Sequence, residues 1–324
     1  MDQLDQYGWN DELAKAWAEL AAPDCVPARV IADYAANLKI ALPQERRAEI
    51  SGKLAHALDD HQRPKVGDWV AVRIVDASSA VVEHVLPRHS EISRRAVGDR
   101  VRKQVMAANV DVAFIVQALD HDFSPSRLQR YLYQLQNSHI EPVVVLNKSD
   151  KVDDAQTYID QITPLGIHYV LTSATTGDGV QGLLEYFLPG KTAVLLGSSG
   201  VGKSTLTNLL LGEAVQKTQA IRQSDSKGRH TTSHRELFAI KNGGLLIDTP
   251  GIRELQLWGT QEELEATFAD ITQIALDCRF STCGHTTEPD CAIRAAIADG
   301  SLAQARFDNY TKMKAELDTA AKRL

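Results

Sequence analysis

No stretch of the 324 residues is apolar over the length a bilayer demands, so a membrane-spanning helix is excluded. The N-terminus, Met1-Asp2-Gln3-Leu4-Asp5-Gln6, is acidic and leads into no apolar signal core, which makes the cytoplasm the expected compartment. There is no internal repeat and no extended low-complexity segment. Cysteine is scarce: the chain has 4, and no two are spaced as C-x-x-C. Thioredoxin-like redox chemistry is therefore disfavoured, as is a disulfide framework in that compartment. Positive charge is not in excess either, and a net charge of −7 by itself argues against a nucleic-acid partner. What remains is the composition of a folded protein, 44% hydrophobic and 24% charged, long enough for two or three domains.

Against this background the order of three short motifs stands out. Asn147-Lys148-Ser149-Asp150 has the form N-K-x-D, a guanine-reading element. It precedes Gly197-Ser198-Ser199-Gly200-Val201-Gly202-Lys203-Ser204, which fits G-x-x-x-x-G-K-[ST] at every fixed position. Asp248-Thr249-Pro250-Gly251 follows both. Ordinary small GTPases run phosphate loop, switches, then base reader. A circular permutation accounts for the inversion.

Each motif stands where its chemistry needs it. Val194-Leu195-Leu196 reads as a buried strand feeding the phosphate loop, and Leu206, Leu209 and Leu210 give helical spacing beyond it. Backbone amides and a helix N-terminus then face the phosphates. Lys203 reaches the β- and γ-phosphates, Ser204 ligates Mg²⁺, and Thr205 is a further nucleotide contact. After the apolar run 143–146, the Asp150 carboxylate matches both donors of the guanine edge, whereas adenine would leave it unpaired. The stem of Lys148 covers the base. Ser173 and Ala174, after the strand-like 168–171, fit an accessory base contact made through a backbone amide. Asp248 ends a second buried strand, holds Mg²⁺ through water, and is followed by the Gly251 amide at the γ-phosphate. Residues 236–240 and 245–247 are expected to pair across the turn Lys241-Asn242-Gly243-Gly244.

One departure matters. Ile252 stands where many GTPases place a glutamine that orients the attacking water, and an aliphatic side chain cannot do so. The polar loop 222–235 occupies the position of the first switch. Thr232, with Thr231 as the alternative, is expected to close on Mg²⁺ and the γ-phosphate. His230 is the nearest candidate to orient water, although a lone loop histidine is more often merely solvated.

Cys278, Cys283, His285 and Cys291 follow the spacing C-x4-C-x-H-x5-C. Three thiolates and an imidazole make a closed tetrahedral zinc site, the arrangement of structural rather than catalytic zinc. Cys25 is isolated and reads as an ordinary free thiol. Arg279, inside the ligand loop, is by default a solvated residue.

In front of these motifs, residues 11–21 read as an amphipathic helix with Leu13, Trp17 and Leu20 on one side. Strand candidates follow at 29–32, 38–41, 66–74 and 80–86. In the third, Val70, Val72 and Ile74 alternate with Trp69, Ala71 and Arg73. Short strands with turn signals fit an OB-fold, and from the pattern alone an SH3-like barrel fits almost as well. Arg88, His89, Arg94, Arg95, Arg100, Arg102 and Lys103 form one basic cluster. Arg222, Lys227, Arg229, His230, His234 and Arg235 form another. Such patches bind phosphate backbone, or are solvated faces.

Taken together, the inverted motifs, the Gly228-Arg229-His230-Thr231-Thr232 switch and the C-terminal Cys/His cluster resemble the circularly permuted, small-ribosomal-subunit-dependent GTPases of the RsgA/YjeQ family. The resemblance implies a multidomain α/β chain. Its expected parts are a helical extension at 1–23, an OB-type β-barrel at 24–107 and a circularly permuted P-loop GTPase domain at 108–255. A mainly helical zinc-binding domain then occupies 256–324. It also implies GTP with Mg²⁺, one structural zinc, and a role in late maturation of the small subunit, with its rRNA as partner and hydrolysis stimulated by that particle. A monomer without membrane contact is expected. Because the chain leaves the nucleotide site after residue 251 and soon enters the zinc domain, through Glu254, Leu255 and Trp258, nucleotide state and that module are expected to influence one another. Two other readings stay open. One is an RNA-binding assembly factor whose bound state matters and whose hydrolysis only resets it; the other is a GTPase acting on a protein complex without RNA.

Overall fold

The computed structural model describes residues 4–34, 37–42, 44–95, 103–212, 235–240, 243–248 and 260–321. The switch residues His230, Thr231 and Thr232 lie outside them, as do Gly251, Ile252, Glu254, Leu255 and Trp258. By its contacts the chain divides into two compact units. One comprises Met1–Ser93, Gln104–Phe123 and Ser138–Glu254; the other comprises Arg94–Lys103, Ser124–Asn137 and Leu255–Leu324.

The first unit opens with α1 (Asp11–Leu20), capped by Asn10, whose side chain accepts from the Leu13 amide. Strands β1 (Val26–Asp33), β2 (Leu38–Ala41) and β3 (Glu45–Ile50) follow, then the short α2 (Gly52–Ala57), β4 (Trp69–Ile74) and β5 (Ser79–Val85). Pairing runs β1-β2-β3-β5-β4 and closes through β1–β4, with β3 and β5 parallel. That closure makes an OB-type barrel and settles the choice against an SH3-like one. Val30, Ile40, Val70, Val72 and Val82 fill the interior. The alternation expected in β4 holds for Val70 and Val72, but Ile74 is exposed at the strand end. The opposite face is not open to water either. Trp69 and Ala71 are buried against Leu13 and Leu86, and Trp9 meets the Trp69 ring edge-on at 4.9 Å. The sequence reading lacked β3 because its run Glu45-Arg46-Arg47-Ala48-Glu49-Ile50 is mostly polar and only Ala48 is buried.

Strands β6 (Glu91–Arg95) and β7 (Lys103–Ala108) form a separate two-stranded sheet. Next come β8 (Val112–Ala118), α3 (Pro125–Leu135), β9 (Glu141–Asn147), α4 (Gln156–Ile162), β10 (Tyr169–Leu171), α5 (Val180–Leu184), β11 (Thr192–Leu196), α6 (Lys203–Leu211), β12 (Arg235–Ala239) and β13 (Leu245–Asp248). The sheet order is β10-β9-β8-β11-β13-β12, parallel except for β12 against β13. Central strands of such a sheet are covered on both faces, which is why β8, β9 and β11 read as nearly unbroken apolar runs. In α6 the buried side is Leu206, Leu210 and Leu211, while Leu209 is exposed. The edge strand β12 also pairs with β1, Ala32 opposite Glu236 and Asp33 opposite Arg235, so barrel and GTPase strands form one continuous sheet.

The second unit adds α7 (Gln261–Thr267), α8 (Ala269–Leu276), α9 (Ala292–Asp299) and α10 (Gln304–Ala321) to α3, which begins at the Ser124 cap and Pro125 and packs against α7 and α10. Phe268, Ile271, Ile293, Met313 and Tyr133 are at its core. The Tyr133 hydroxyl donates to the Thr260 carbonyl at 3.0 Å, and Arg130 forks onto Glu316 at 2.7 and 2.8 Å.

Candidate functional site

The phosphate loop runs from the end of β11 into α6. Gly197 and Gly202 have φ of 141° and 105°, and a Cβ at either would lie 2.5 Å from the Val116 carbonyl oxygen or 2.2 Å from Asn147 Nδ2. Only glycine fits so close to these groups. Ser204 and Thr205 are exposed in the first turn of α6, Ser199 and Gly200 line the exposed tip, and Val201 is buried. Lys203 Nζ donates to the carbonyls of Gly197 and Ser198, at 2.6 and 2.5 Å.

Asn147, 1% exposed, joins three segments. Its Nδ2 donates to the Val201 carbonyl at 2.7 Å, while its Oδ1 accepts from the Ala174 amide at 2.9 Å and from Thr172 Oγ1 at 3.2 Å. Of the Ser173-Ala174 amides, expected to offer a base contact, that of Ala174 is thus engaged by Asn147. Asp150 is exposed, and one of its oxygens accepts from Ser173 Oγ at 2.6 Å. Lys148 takes the left-handed conformation, φ 67°, and its ammonium pairs with Asp120 at 2.8 Å. Ser198 Oγ donates to Asp122. Motifs separated along the chain are therefore assembled into one site. Asp120 and Asp122 belong to it although no motif marks them; their spacing after a buried strand is the only sequence signal.

Asp248, at the end of β13, lies directly opposite Glu236. Burial and the Glu236 carboxylate raise its pKa, against the pull of Lys203. Its place on the strand beside β11 suits a carboxylate that holds a magnesium ion through water.

In the second unit, donor atoms of Cys278, Cys283, His285 and Cys291 all lie within 4.8 Å of one another. His285 Nδ1 is 3.6 Å from the sulfur of Cys278 and 3.5 Å from that of Cys291. Tetrahedral zinc with usual bond lengths requires sulfur-to-nitrogen separations of about 3.6 Å, so the donor set fits the ion in both chemistry and spacing. Sequence reading missed Glu288. Its carboxylate accepts from the amides of Gly284, Thr286 and Thr287 at 2.9, 2.9 and 3.0 Å, tying the ligand loop together.

The first basic cluster is partly structural. Arg88 grips the fully buried Asp68 through two bonds of 2.8 Å and reaches Glu91 at 2.9 Å. Burial holds the His89 imidazole below its usual range, so it is neutral at pH 7. Arg95, Arg100 and Arg102 have no described side chains, and of the second cluster only Arg235 is described. A cleft of about 810 Å³ on the barrel is instead lined by Tyr34, Lys39, Arg46 and Arg47 together with Glu45.

A profile of the RsgA GTPase family matches residues 85–258. The chain is 44% identical to the small ribosomal subunit biogenesis GTPase RsgA of Opitutus terrae, over 99% of this chain and 91% of that protein. It is 41% identical to the protein of the same name from Syntrophotalea carbinolica, over 98% and 90%. Among solved structures it resembles YjeQ from Thermotoga maritima, with TM-score 0.65, 27% identity and coverage of 90% of this chain and 98% of the other. It also resembles YloQ, a circularly permuted GTPase, with TM-score 0.61, 26% identity and coverage of 91% and 96%. A match along nearly the whole chain, on a sheet whose strands run in permuted order, leaves one conclusion: the chain belongs to the RsgA family and is a circularly permuted GTPase.

Proposed function

We propose that this GTPase binds the small ribosomal subunit in the cytoplasm, assists its late maturation as a monomer, and couples subunit-stimulated hydrolysis of GTP to its own release. The observation that carries the reading is the near full-length similarity to proteins named for biogenesis of that subunit. The cationic, Tyr34-bearing cleft of the barrel supports an rRNA contact, since cations follow a phosphate backbone and an aromatic ring stacks on bases.

In the proposed chemistry, water attacks the γ-phosphate in line. Asp150, steadied by Ser173, selects guanine, and Asn147, joined to Ala174, holds the base-reading segments on the phosphate loop. Lys203 exchanges the carbonyls of Gly197 and Ser198 for phosphate oxygens, and the amides of 198–204 stabilise the developing charge. Ser204, Thr232 and, through water, Asp248 would hold a magnesium ion, which would supply positive charge to offset that of the phosphates. Thr232, with Thr231 as alternative, and the Gly251 amide close on the γ-phosphate. His230 orients the attacking water in the absence of a glutamine at position 252. The four C-terminal ligands hold one structural zinc. Domain boundaries at 23, 107 and 255 complete the reading.

The test is single-turnover hydrolysis with and without saturating purified small subunits. The free protein should be slow and the bound protein much faster. His230→Ala should lose on the order of 10²-fold of the stimulated rate while changing the basal rate little. If subunits leave the wild-type rate unchanged, the proposal fails. If only His230→Ala hydrolyses like wild type on subunits, water is oriented by another group.

A further inference from the structure

Between β8 and α3 the five residues 119–123 touch both halves of the nucleotide site. The Leu119 amide donates to the Asn147 carbonyl at 2.8 Å, so the segment starts beside the base-reading motif. Asp120 Oδ1 accepts from the Asp122 amide at 2.9 Å and the Asp120 carbonyl from the Phe123 amide at 3.0 Å, a compact Asx turn. The Phe123 ring stands edge-on to Tyr158 at 4.9 Å. With its backbone thus fixed, the turn presents two carboxylates. Asp120 Oδ2 holds the ammonium of Lys148 at 2.8 Å, and Asp122 Oδ2 accepts a hydrogen bond from the hydroxyl of Ser198 in the phosphate loop.

A lysine stem carries many rotamers, and ordering them for a ligand costs conformational entropy if nothing holds the ammonium beforehand. In the proposed reading the Lys148 stem covers the base, and the residue leaves the backbone in the left-handed region. Its pair with Asp120 is only about one-fifth exposed at either end, 22% and 20%, so water screens it incompletely. Burial pushes the Asp120 carboxyl up, but the Lys148 ammonium brings it net below the usual carboxylate range, so it is ionised at neutral pH.

We propose that Asp120 is a positioning residue for guanine-nucleotide binding: it fixes the Lys148 ammonium before nucleotide arrives, so that the lysine stem already lies where the base will stack. Asp122 anchors the same turn on Ser198, which sets the base cover at a constant distance from the phosphate loop. The turn thereby measures the nucleotide from base to phosphate. The proposal rests on reading 147–150 as the base-binding element.

The experiment is a double-mutant cycle on the full-length protein, read as the dissociation constants of fluorescent GDP and of a non-hydrolysable GTP analogue. Asp120→Asn is the informative change, because an asparagine oxygen can still accept from the Asp122 amide while the charge on the lysine is lost. It should weaken both nucleotides by the same factor, about fivefold, since the lysine lies over the base and not at the γ-phosphate. In a Lys148→Met background the same substitution should have no further effect. An equal loss in both backgrounds would mean that Asp120 acts through the fold and would overturn the proposal. So would full affinity in Asp120→Asn when Lys148→Met is impaired. Unchanged affinity in Lys148→Met would also overturn it, since the held ammonium would then contribute nothing, whereas retained preference for GTP in Asp150→Asn would remove the base-element reading itself. Should Asp120→Asn perturb folding, Asp120→Ser supplies the same cycle, because its hydroxyl also caps the turn.

Discussion

At the scale of single residues, the site is built from short polar side chains that hold backbone segments rather than from groups aimed only at ligand. Asn147 is the clearest case: one buried amide closes on Val201 and Ala174 at once, which needs a donor and an acceptor on the same planar group. Aspartate offers no donor, and its charge would be buried. Asp150, one position past Ser149, is exposed, and its carboxylate is steadied by Ser173 on one oxygen. Asp150→Asn keeps that support but replaces one acceptor by a donor where guanine also donates. Affinity for GTP should fall on the order of 10²-fold, with preference passing to xanthosine triphosphate, whose edge carries the complementary acceptor. Competition binding among GTP, XTP and ATP measures this. Retained preference for GTP would remove Asp150 from base recognition.

At the scale of elements, the loop between α8 and α9 brings the Cys/His cluster together with little regular structure. Two of its residues, His285 and Asp290, sit at positive φ, 59° and 56°, and Glu288 binds three amides that no helix or strand satisfies. Cys291 directly precedes α9 and is buried in the core of its unit, and the ring of Phe307 on α10 stands edge-on to His285. Loss of the metal should therefore loosen the helices packed on that core. Zinc binding of this kind contributes about 10 kcal/mol or more to the fold it organises. Cys283→Ser, or exhaustive chelation, should bring zinc content well below one per chain and reduce helical circular dichroism, while guanine nucleotide still binds. Elemental analysis and spectra decide the matter. A metal-free preparation with unchanged helicity would show that the cluster folds on its own hydrogen bonds.

At the scale of the whole molecule, the first unit is more than two domains joined by a linker. Strand β1 is shared between the barrel and the edge of the GTPase sheet, and β12, which follows the switch segment in sequence, is held between β1 and β13. Arg29 on β1 adds a buried cation to this junction at 2% exposure. It donates to the carbonyls of Tyr7, Gly67 and Asn109 and to the hydroxyl of Thr192, at 3.1 Å to Gly67 and 3.0 Å to Asn109 and Thr192. Burial lowers its pKa to about 10, with Asp111 and Asp68 opposing the shift, so it stays charged at neutral pH. Arg29→Met fills the space but leaves three carbonyls and a hydroxyl without that donor. The cost should be about 3 kcal/mol. In thermal unfolding this appears as a fall of several degrees, and Arg29→Lys should recover only part of it, because an ammonium cannot span the same fork of acceptors. An unchanged melting temperature for Arg29→Met would mean that the junction is held by strand pairing alone.

The sequence by itself determined the order of the GTPase strands, because motif chemistry is local: a phosphate loop must follow β11 and a base reader must follow β9, wherever the chain begins. It also determined the Cys/His donor set, whose spacing is a property of a single loop and whose side chains the fold gathers. Tertiary structure decided what depends on partners distant along the chain. A polar segment became β3 because β2 and β5 flank it, and the β3–β5 pairing made the barrel an OB-fold. Arg88, read as surface charge, became a buried partner of Asp68. Asp120 and Asp122 entered the nucleotide site only when β8 and β9 became neighbours in the sheet. The physical reason is common to all four. Periodicity and motif spacing record what a residue does within a few positions of itself, whereas burial, charge pairing and strand closure are set by residues far away in sequence that folding brings together.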